Sequence, residues 1–193
     1  MRLAVIRYNA GNIRSVTHAL RRLGVEPEIT DDPASIRSAD RVIFPGVGEA
    51  STAMAYLRER GLDTLITSLE QPVLGICLGL QLMCDESEEN DSKCMGIFPE
   101  TVRLFPPVEK VPHMGWNSVN QLRGPLFEGI DPGSYVYFVH GYYAATGPHT
   151  TAVTDYILPF SAGLSDRNFH SVQFHPEKSG DVGAAILKNF LAI

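Results

Sequence analysis

One cysteine stands in a setting that could make it a nucleophile. Cys77 lies in the segment Gly75-Ile-Cys77-Leu-Gly79, between a buried-strand run and a helix predicted over residues 78–84. Small residues two positions on either side permit the strained turn that lifts a nucleophile above a sheet. The N–H groups and dipole of a helix N-terminus also stabilise a thiolate. A cysteine in an apolar stretch is otherwise a small core residue. We assign that structural role to Cys84, inside the predicted helix, and to Cys94, in a polar loop.

A nucleophilic cysteine requires a base. The chain has six histidines as candidates, namely His18, His113, His140, His149, His170 and His175. His175 follows a strand-like run at residues 171–174, and strand ends of a parallel α/β sheet collect at one edge, where the Cys77 turn also lies. Glu177 could orient the imidazole and stabilise its charged form. A His-Pro-Glu tripeptide alone is more often a surface turn, but together with the cysteine turn it predicts a Cys-His-Glu triad.

Acyl chemistry at Cys77 would develop an oxyanion, which needs N–H donors already in place. The N–H of Leu78, directly after the nucleophile, is the first candidate. Pro45-Gly-Val-Gly48 follows another predicted strand and could bring a second donor, from Val47 or a neighbour, to the same edge. A nucleotide site there is disfavoured. The third glycine and the downstream acid of a dinucleotide loop are missing, and no Gly-Lys-Ser/Thr follows for a P-loop.

The elements that must position these residues alternate in the first half of the chain. Strand-like runs at residues 3–6, 41–44 and 73–76 are separated by helical faces. Apolar strands joined by helices favour a parallel sheet covered on both sides. After about residue 96, shorter strands at 101–105, 135–140, 151–156 and 171–174 predict an antiparallel annex. We expect one α/β domain over residues 1–193, closed by a helix that Asp181 caps.

The composition is that of an ordinary globular protein and excludes collagen, coiled coil and disordered tail. Hydrophobic residues make up 44% of the 193 residues and charged residues 20%. The net charge of −6 repels phosphate backbones and anionic lipid, so nucleic acid is not an expected partner. No apolar run approaches the roughly 20 residues of a membrane helix, and the N-terminus leaves no room for a signal peptide. We therefore expect a cytoplasmic protein. The three cysteines have neither disulfide-framework nor zinc-site spacing.

Motifs over nearly the whole chain resemble those of the class I, triad-type glutamine amidotransferases. They are Tyr8-Asn-Ala-Gly-Asn12, Pro45-Gly-Val-Gly48, Leu74-Gly-Ile-Cys-Leu-Gly-Leu-Gln81, Ser87-Glu-Glu89, Val111-Pro-His-Met-Gly-Trp-Asn117, Tyr137-Phe-Val-His140 and Gln173-Phe-His-Pro-Glu-Lys-Ser-Gly180. In that family a Cys-His-Glu triad releases ammonia from glutamine for a synthase. The resemblance implies a flavodoxin-like, mostly parallel sheet with helices on both faces, and neither a metal nor an organic cofactor.

The resemblance also implies roles for individual residues. Cys77 would form a glutamyl-thioester, His175 would protonate the leaving ammonia and activate water, and Glu177 would hold His175. Glutamine binding is implied for Gly46, Gly48, Gln81, Glu89, His140, Gly141 and Tyr142. A carboxylate such as that of Glu89 is a natural partner for the ammonium group of a free amino acid. The rest of the acidic run around it is better explained as a solvated face.

A separate partner is the further implication of the resemblance. It is a cyclase subunit with a (β/α)₈ barrel that receives the ammonia, and the two chains form a heterodimer. Asn12, Trp116, Tyr137 and Lys178 are placed near it. From the sequence alone, Trp116 with Met114 is more typical of core packing, although interfaces are enriched in aromatic residues. We expect the isolated chain to be nearly inactive, with the Gly46 to Gly48 loop not yet aligned.

The chain departs from the family pattern at two places. Relatives usually carry Asp before Tyr8 and Gly after it, whereas this chain has Arg7 and Asn9. Gly141 stands where Ser or Thr is usual. Glycine is tolerated there if position 141 contacts glutamine through its main chain, and binding weakens if a hydroxyl is needed.

Two alternative functions stay open at this point. One is the glutaminase of a synthase other than the one with the cyclase subunit, such as the synthase of the pyridoxal-phosphate pathway. The Pro-His-Met-Gly-Trp-Asn segment argues against this alternative. The other is a non-enzymatic module that keeps the fold to bind and regulate a partner. That second alternative would require the loss of Cys77, His175 or Glu177, and all three are present.

Overall fold

The computed structural model describes residues 1–193, with most strands in one large sheet. The strands are β1 (Leu3–Ile6), β2 (Glu28–Thr30), β3 (Arg41–Gly46), β4 (Val73–Cys77), β5 (Cys84–Ser87), β6 (Ser92–Lys93), β7 (Phe98–Leu104), β8 (His113–Val119), β9 (Ser134–His140), β10 (Tyr142–Ala144), β11 (Thr150–Tyr156), β12 (Leu158–Asp166) and β13 (Phe169–Val172). The helices are α1 (Ile13–Arg22), α2 (Pro33–Arg37), α3 (Ala50–Glu59), α4 (Leu62–Thr67), α5 (Leu78–Met83) and α6 (Gly180–Ala192).

The large sheet has seven strands in the order β11-β12-β13-β4-β3-β1-β2. The five strands from β13 to β2 are parallel, and β11 and β12 extend the sheet as antiparallel neighbours. The α/β class with a mostly parallel sheet is therefore confirmed. Gly46 pairs with Cys77 and Val172 pairs with Ile76, so the ends of β3 and β13 flank the end of β4.

Both faces of the sheet are covered because its strands are apolar on both sides. In β1, Ala4 and Ile6 point into one core and Leu3 and Val5 into the other. Apolar residues of α2, α3 and α4 complete the first core, and those of α1 and α6 complete the second. This arrangement matches the prediction of helices on both faces. No helix combines the length and the apolar character needed to cross a membrane.

Two smaller sheets form the annex predicted for the second half. One has the order β10-β7-β5-β6, and the other is the antiparallel pair β8 and β9. The predicted annex is confirmed in its antiparallel pairs, but β5 and β7 run parallel. The runs at 151–156 and 171–174, also predicted for the annex, belong instead to the large sheet, where β11 is an antiparallel edge strand and β13 pairs parallel with β4. Two further local expectations are wrong. Cys84 begins β5 instead of lying inside the helix, and α6 is preceded by Ser179, with Asp181 in its first turn.

The close approach of α5 to β3 generates the first prediction. A Cβ at Gly79 would overlap the carbonyl oxygen of Phe44, which is backbone and cannot move aside. Gly79→Ala is expected to lower the free energy of unfolding by about 1–3 kcal/mol in urea denaturation. Gly141→Ala is the matched control, because its Cβ would meet only Val111 at an ordinary 3.6 Å. Equal losses in the two variants would contradict this explanation.

Candidate active site

The predicted strand-to-helix turn is present at Cys77. This residue ends β4 directly before α5, with φ of 54° and ψ of −108°. A positive φ is costly for a residue with a Cβ, so such geometry persists only where the surroundings enforce it. Gly75 and Gly79 supply that enforcement, because a Cβ on either would meet atoms of α5 or β3 at 3.0 Å or less. The thiol is thereby held at the edge of the sheet.

His175 and Glu177 lie at the same edge, past the end of β13. The Nδ1 atom of His175 is 2.8 Å from Oε1 of Glu177, and both side chains are buried. An ionised carboxylate only accepts hydrogen bonds, so Nδ1 carries the proton. Nε2 is then the ring nitrogen left for Cys77, which lines the same cleft as His175.

The electrostatics of this group favour a charged imidazole. Burial disfavours the imidazolium, but the hydrogen bonds to Cys77 and Glu177 outweigh it and raise the pKa of His175 to about 10. A cation beside the sulfur stabilises the thiolate form of Cys77. The arrangement thus combines a candidate nucleophile with a candidate proton donor.

The turn that carries Glu177 is fixed by three further hydrogen bonds. Asn12 donates from Nδ2 to Oε1 of Glu177 at 3.2 Å. The Ser179 hydroxyl donates to the carbonyl of His175 at 2.6 Å and accepts from the N–H of Tyr137 at 2.9 Å. Asn12, predicted near a partner, is therefore also in direct contact with the triad.

A cleft of about 330 Å³ opens above Cys77. Its lining contains both predicted oxyanion residues, Val47 and Leu78. It also contains six of the predicted glutamine-binding residues, namely Gly48, Gln81, Glu89, His140, Gly141 and Tyr142. Gly46 does not line the cleft. It packs beneath, where a Cβ would overlap the Tyr8 hydroxyl and crowd Leu78.

One of the two oxygens of the Glu89 carboxylate already has a hydrogen-bond partner. Its Oε2 accepts from the N–H of Ala50, at the start of α3, at 2.7 Å. Burial raises the pKa of Glu89, against the effect of that hydrogen bond. Oε1 is the oxygen that remains for a cationic ligand.

The structure adds Gln173, Pro112, Val139 and Lys178 to the neighbourhood of Cys77. Gln173 is fully buried, and its Nε2 lies 3.8 Å from Sγ of Cys77. Gln173 begins the motif at residues 173–180, but no role was predicted for it. The available signal was an amide between two apolar residues, Val172 and Phe174, directly before the candidate base. Lys178, predicted at a partner surface, lines the cleft.

The remaining histidines have other partners or are exposed. Nδ1 of His113 lies 3.1 Å from Nε2 of His140, and burial lowers the pKa values of these residues to about 4 and about 3. His18 is exposed, as expected. His149, expected at the surface, is half-buried against Glu100 at 3.1 Å.

The outer face of the β8–β9 pair carries exposed apolar side chains. Met114 is 58% exposed and Trp116 is 55% exposed, so the interpretation of these two residues as core is wrong. Trp116 packs edge-on against Tyr137 with ring centroids 5.9 Å apart. Nζ of Lys178 lies 5.8 Å from the Tyr137 ring centroid. We call Met114, Trp116, Tyr137 and Lys178 the hairpin surface.

Comparison with known proteins identifies the class. The family model described as glutamine amidotransferase class-I matches residues 4–193. The chain belongs to this family, and the predicted membership is confirmed. Solved structures share the fold. PurLQS from Thermotoga maritima has a TM-score of 0.74 and 18% identity, covering 99% of this chain and 97% of that chain.

Among curated proteins, the chain is similar to one kind of synthase subunit. The imidazole glycerol phosphate synthase subunit HisH of Bacteroides fragilis (strain YCH46) is 57% identical over 196 residues, covering 100% of both chains. The protein of the same name from Pasteurella multocida (strain Pm70) is 47% identical, covering 98% of this chain and 96% of its own.

The raised pKa of His175 generates a prediction about stability. The charged form of His175 is favoured in the folded chain. The free energy by which it stabilises the folded state is therefore fully present below the unfolded pKa of about 6.5 and is lost as pH rises towards about 10. In Glu177→Gln the pKa is less raised. Between pH of about 6.5 and 9.5 we expect the wild-type free energy of unfolding to fall by about 1 kcal/mol more than that of the variant. Urea denaturation measures it, with exposed Glu59→Gln as control. Parallel pH profiles for wild type and Glu177→Gln would refute it.

Proposed function

We propose that the chain is the glutaminase subunit of an imidazole glycerol phosphate synthase, which hydrolyses L-glutamine for histidine biosynthesis. The observation that carries the proposal is the Cys77 turn facing the buried His175–Glu177 pair across a cleft. It occurs in a chain 57% identical, over its full length, to a HisH subunit. The ammonia passes to a cyclase subunit, which makes imidazole glycerol phosphate and AICAR.

The first half of the reaction forms an acyl-enzyme. The Cys77 thiolate attacks the side-chain carbonyl carbon of glutamine, and a C–S bond forms. The resulting oxyanion is held by the N–H groups of Leu78 and Val47. His175 gives its Nε2 proton to the leaving nitrogen, the C–N bond breaks, and ammonia departs from a glutamyl-thioester.

The second half regenerates the enzyme. His175, now neutral, takes a proton from water at Nε2 as the water oxygen attacks the thioester carbonyl. The C–S bond breaks, and glutamate leaves a Cys77 thiolate beside an imidazolium. Glu177 stabilises that imidazolium in both halves through its bond to Nδ1. The balance is glutamine plus water giving glutamate plus ammonia.

The cleft offers complementary groups for free glutamine. Oxygen Oε1 of Glu89 would receive the ammonium group. Gly141 would act through its main chain, since glycine has no side chain to offer glutamine. Gly48, Gln81, His140 and Tyr142 would complete the contacts.

The proposed partner is a (β/α)₈ cyclase chain in a heterodimer, docked on the hairpin surface. An exposed Trp and Met beside a half-buried Tyr on one face of a two-stranded ribbon is the composition of a protein interface. The neighbouring Lys178 and Asn12 reach the cleft and Glu177, so a chain bound here would border the triad. We place the complex in the cytoplasm, where the three free thiols stay reduced.

Glutamate release tests the function directly. It is measured for the chain alone, with a cognate cyclase chain, and with both that cyclase and its nucleotide substrate. We expect activity at least about a hundredfold higher in the full mixture, about 2.7 kcal/mol in the barrier, and none in Cys77→Ala. If the isolated chain released glutamate as fast as the full mixture, the proposed activation by the cyclase subunit would be wrong. No activity despite complex formation would favour the regulatory module.

The hairpin surface generates a binding prediction. Trp116→Ala is expected to weaken association with the cyclase subunit by about thirtyfold, about 2 kcal/mol, because exposed aromatic residues dominate interface energies. Titration calorimetry measures it. Ile29→Ala removes another exposed apolar side chain, on β2 of the large sheet, and should bind like wild type. Unaltered binding of Trp116→Ala would place the interface elsewhere.

A further inference from the structure

Gln173 is a buried polar residue that the proposed reaction steps do not use. Its side chain has no exposed area, yet it lies beside the nucleophile, with Nε2 3.8 Å from Sγ of Cys77. A buried amide is costly unless it is hydrogen-bonded, so its partners show what it does. They are the sulfur of Cys77 and the side chain of Gln81.

The orientation of the Gln173 amide follows from a fixed acceptor, the carbonyl of Tyr142. A carbonyl cannot donate, so the Gln81 atom that lies 3.0 Å from it must be Nε2. The same Nε2 lies 3.1 Å from Gln173, which must therefore present Oε1 to it. The opposite end of the Gln173 amide, its NH₂ group, then faces the sulfur.

The sulfur has a second polar neighbour, which favours the opposite protonation state of Cys77. The carbonyl oxygen of Val139 lies 3.7 Å from Sγ of Cys77 and can only accept. It stabilises the protonated thiol, whereas the N–H of Gln173 stabilises the thiolate. Both an acceptor for the thiol and a donor for the thiolate therefore lie within 3.8 Å of the sulfur.

We propose that Gln173 is a further catalytic residue, whose side-chain N–H donates to the Cys77 thiolate. Gln81 and the carbonyl of Tyr142 are the positioning groups that keep the donor end of Gln173 on the sulfur. The proposal rests on the proposed function, in which Cys77 is the nucleophile. The same N–H stabilises the thiolate that attacks glutamine and the thiolate that leaves when the thioester is hydrolysed.

The test measures the thiolate itself. The alkylation rate of Cys77 by iodoacetamide is followed against pH, by mass spectrometry of the Cys77 peptide, in the full-length chain. Gln173→Met and Gln173→Leu keep the approximate volume and remove the donor. We expect the pH midpoint to rise by about one unit and the rate at neutral pH to fall about tenfold, as for the loss of a hydrogen bond to a charged group.

Ser171→Ala is the matched control, because it removes a buried hydroxyl two residues before Gln173, in β13, at a residue outside the cleft. It should keep the wild-type midpoint. In the complex with the cyclase subunit, the Gln173 variants should lose about tenfold in kcat with KM within about twofold, since the contact is to the reacting atom.

The outcomes separate this inference from the proposed function. An unshifted midpoint in both Gln173 variants, or an equal shift in Ser171→Ala, overturns the role of Gln173 whether or not the chain hydrolyses glutamine. A midpoint that rises only in the Gln173 variants supports the role. If the complete mixture then releases no glutamate, the glutaminase proposal is overturned and the Gln173–Cys77 contact stands.

Discussion

The close packing of α5 against the backbone of β3 is the constraint on which the site depends. Gly79 lies directly against the Phe44 carbonyl, and Gly75 leaves space that Gly79 and Met83 of α5 fill. With the helix held this near to the sheet, the chain can pass from β4 into α5 only through a residue with positive φ, Cys77. The strained turn is thus enforced by two glycines whose neighbours leave no room for a Cβ, and the thiol is fixed without any ligand.

The site contains buried polar atoms that make no hydrogen bond, which lowers the stability of the folded chain. The Tyr8 hydroxyl and Oε2 of Glu177 are buried without a hydrogen-bond partner in the chain. Each such group typically costs about 1–3 kcal/mol. Burial, followed by the charge of Cys77, raises the pKa of Tyr8, so this hydroxyl belongs to the electrostatic surroundings of Cys77. Two of the chain's few orphaned groups therefore lie at the candidate active site, and functional sites are where local rules are commonly broken.

Local patterns predicted the parts of the site that short segments determine. The apolar run before Cys77 and the flanking glycines specified the turn, and the motif spacing brought His175 and Glu177 to the same edge. The contacts that were missed depend on side-chain direction between distant segments. Gln173 bonds to Gln81 across 92 residues, and Asn12 bonds to Glu177 across 165. Trp116 was misjudged because an alternating strand pattern does not say which of its two faces is buried.

The β8–β9 pair connects the candidate partner surface with the nucleophile. Its inner face holds the His113–His140 pair, and Nδ1 of His140 donates to the same Tyr142 carbonyl that orients Gln81. Burial lowers the pKa values of both histidines to about 4 or below, so they stay neutral where the enzyme works. Above about pH 4 the donor directions in this chain of hydrogen bonds therefore stay the same. The outer face of the same ribbon is exposed and available to another chain.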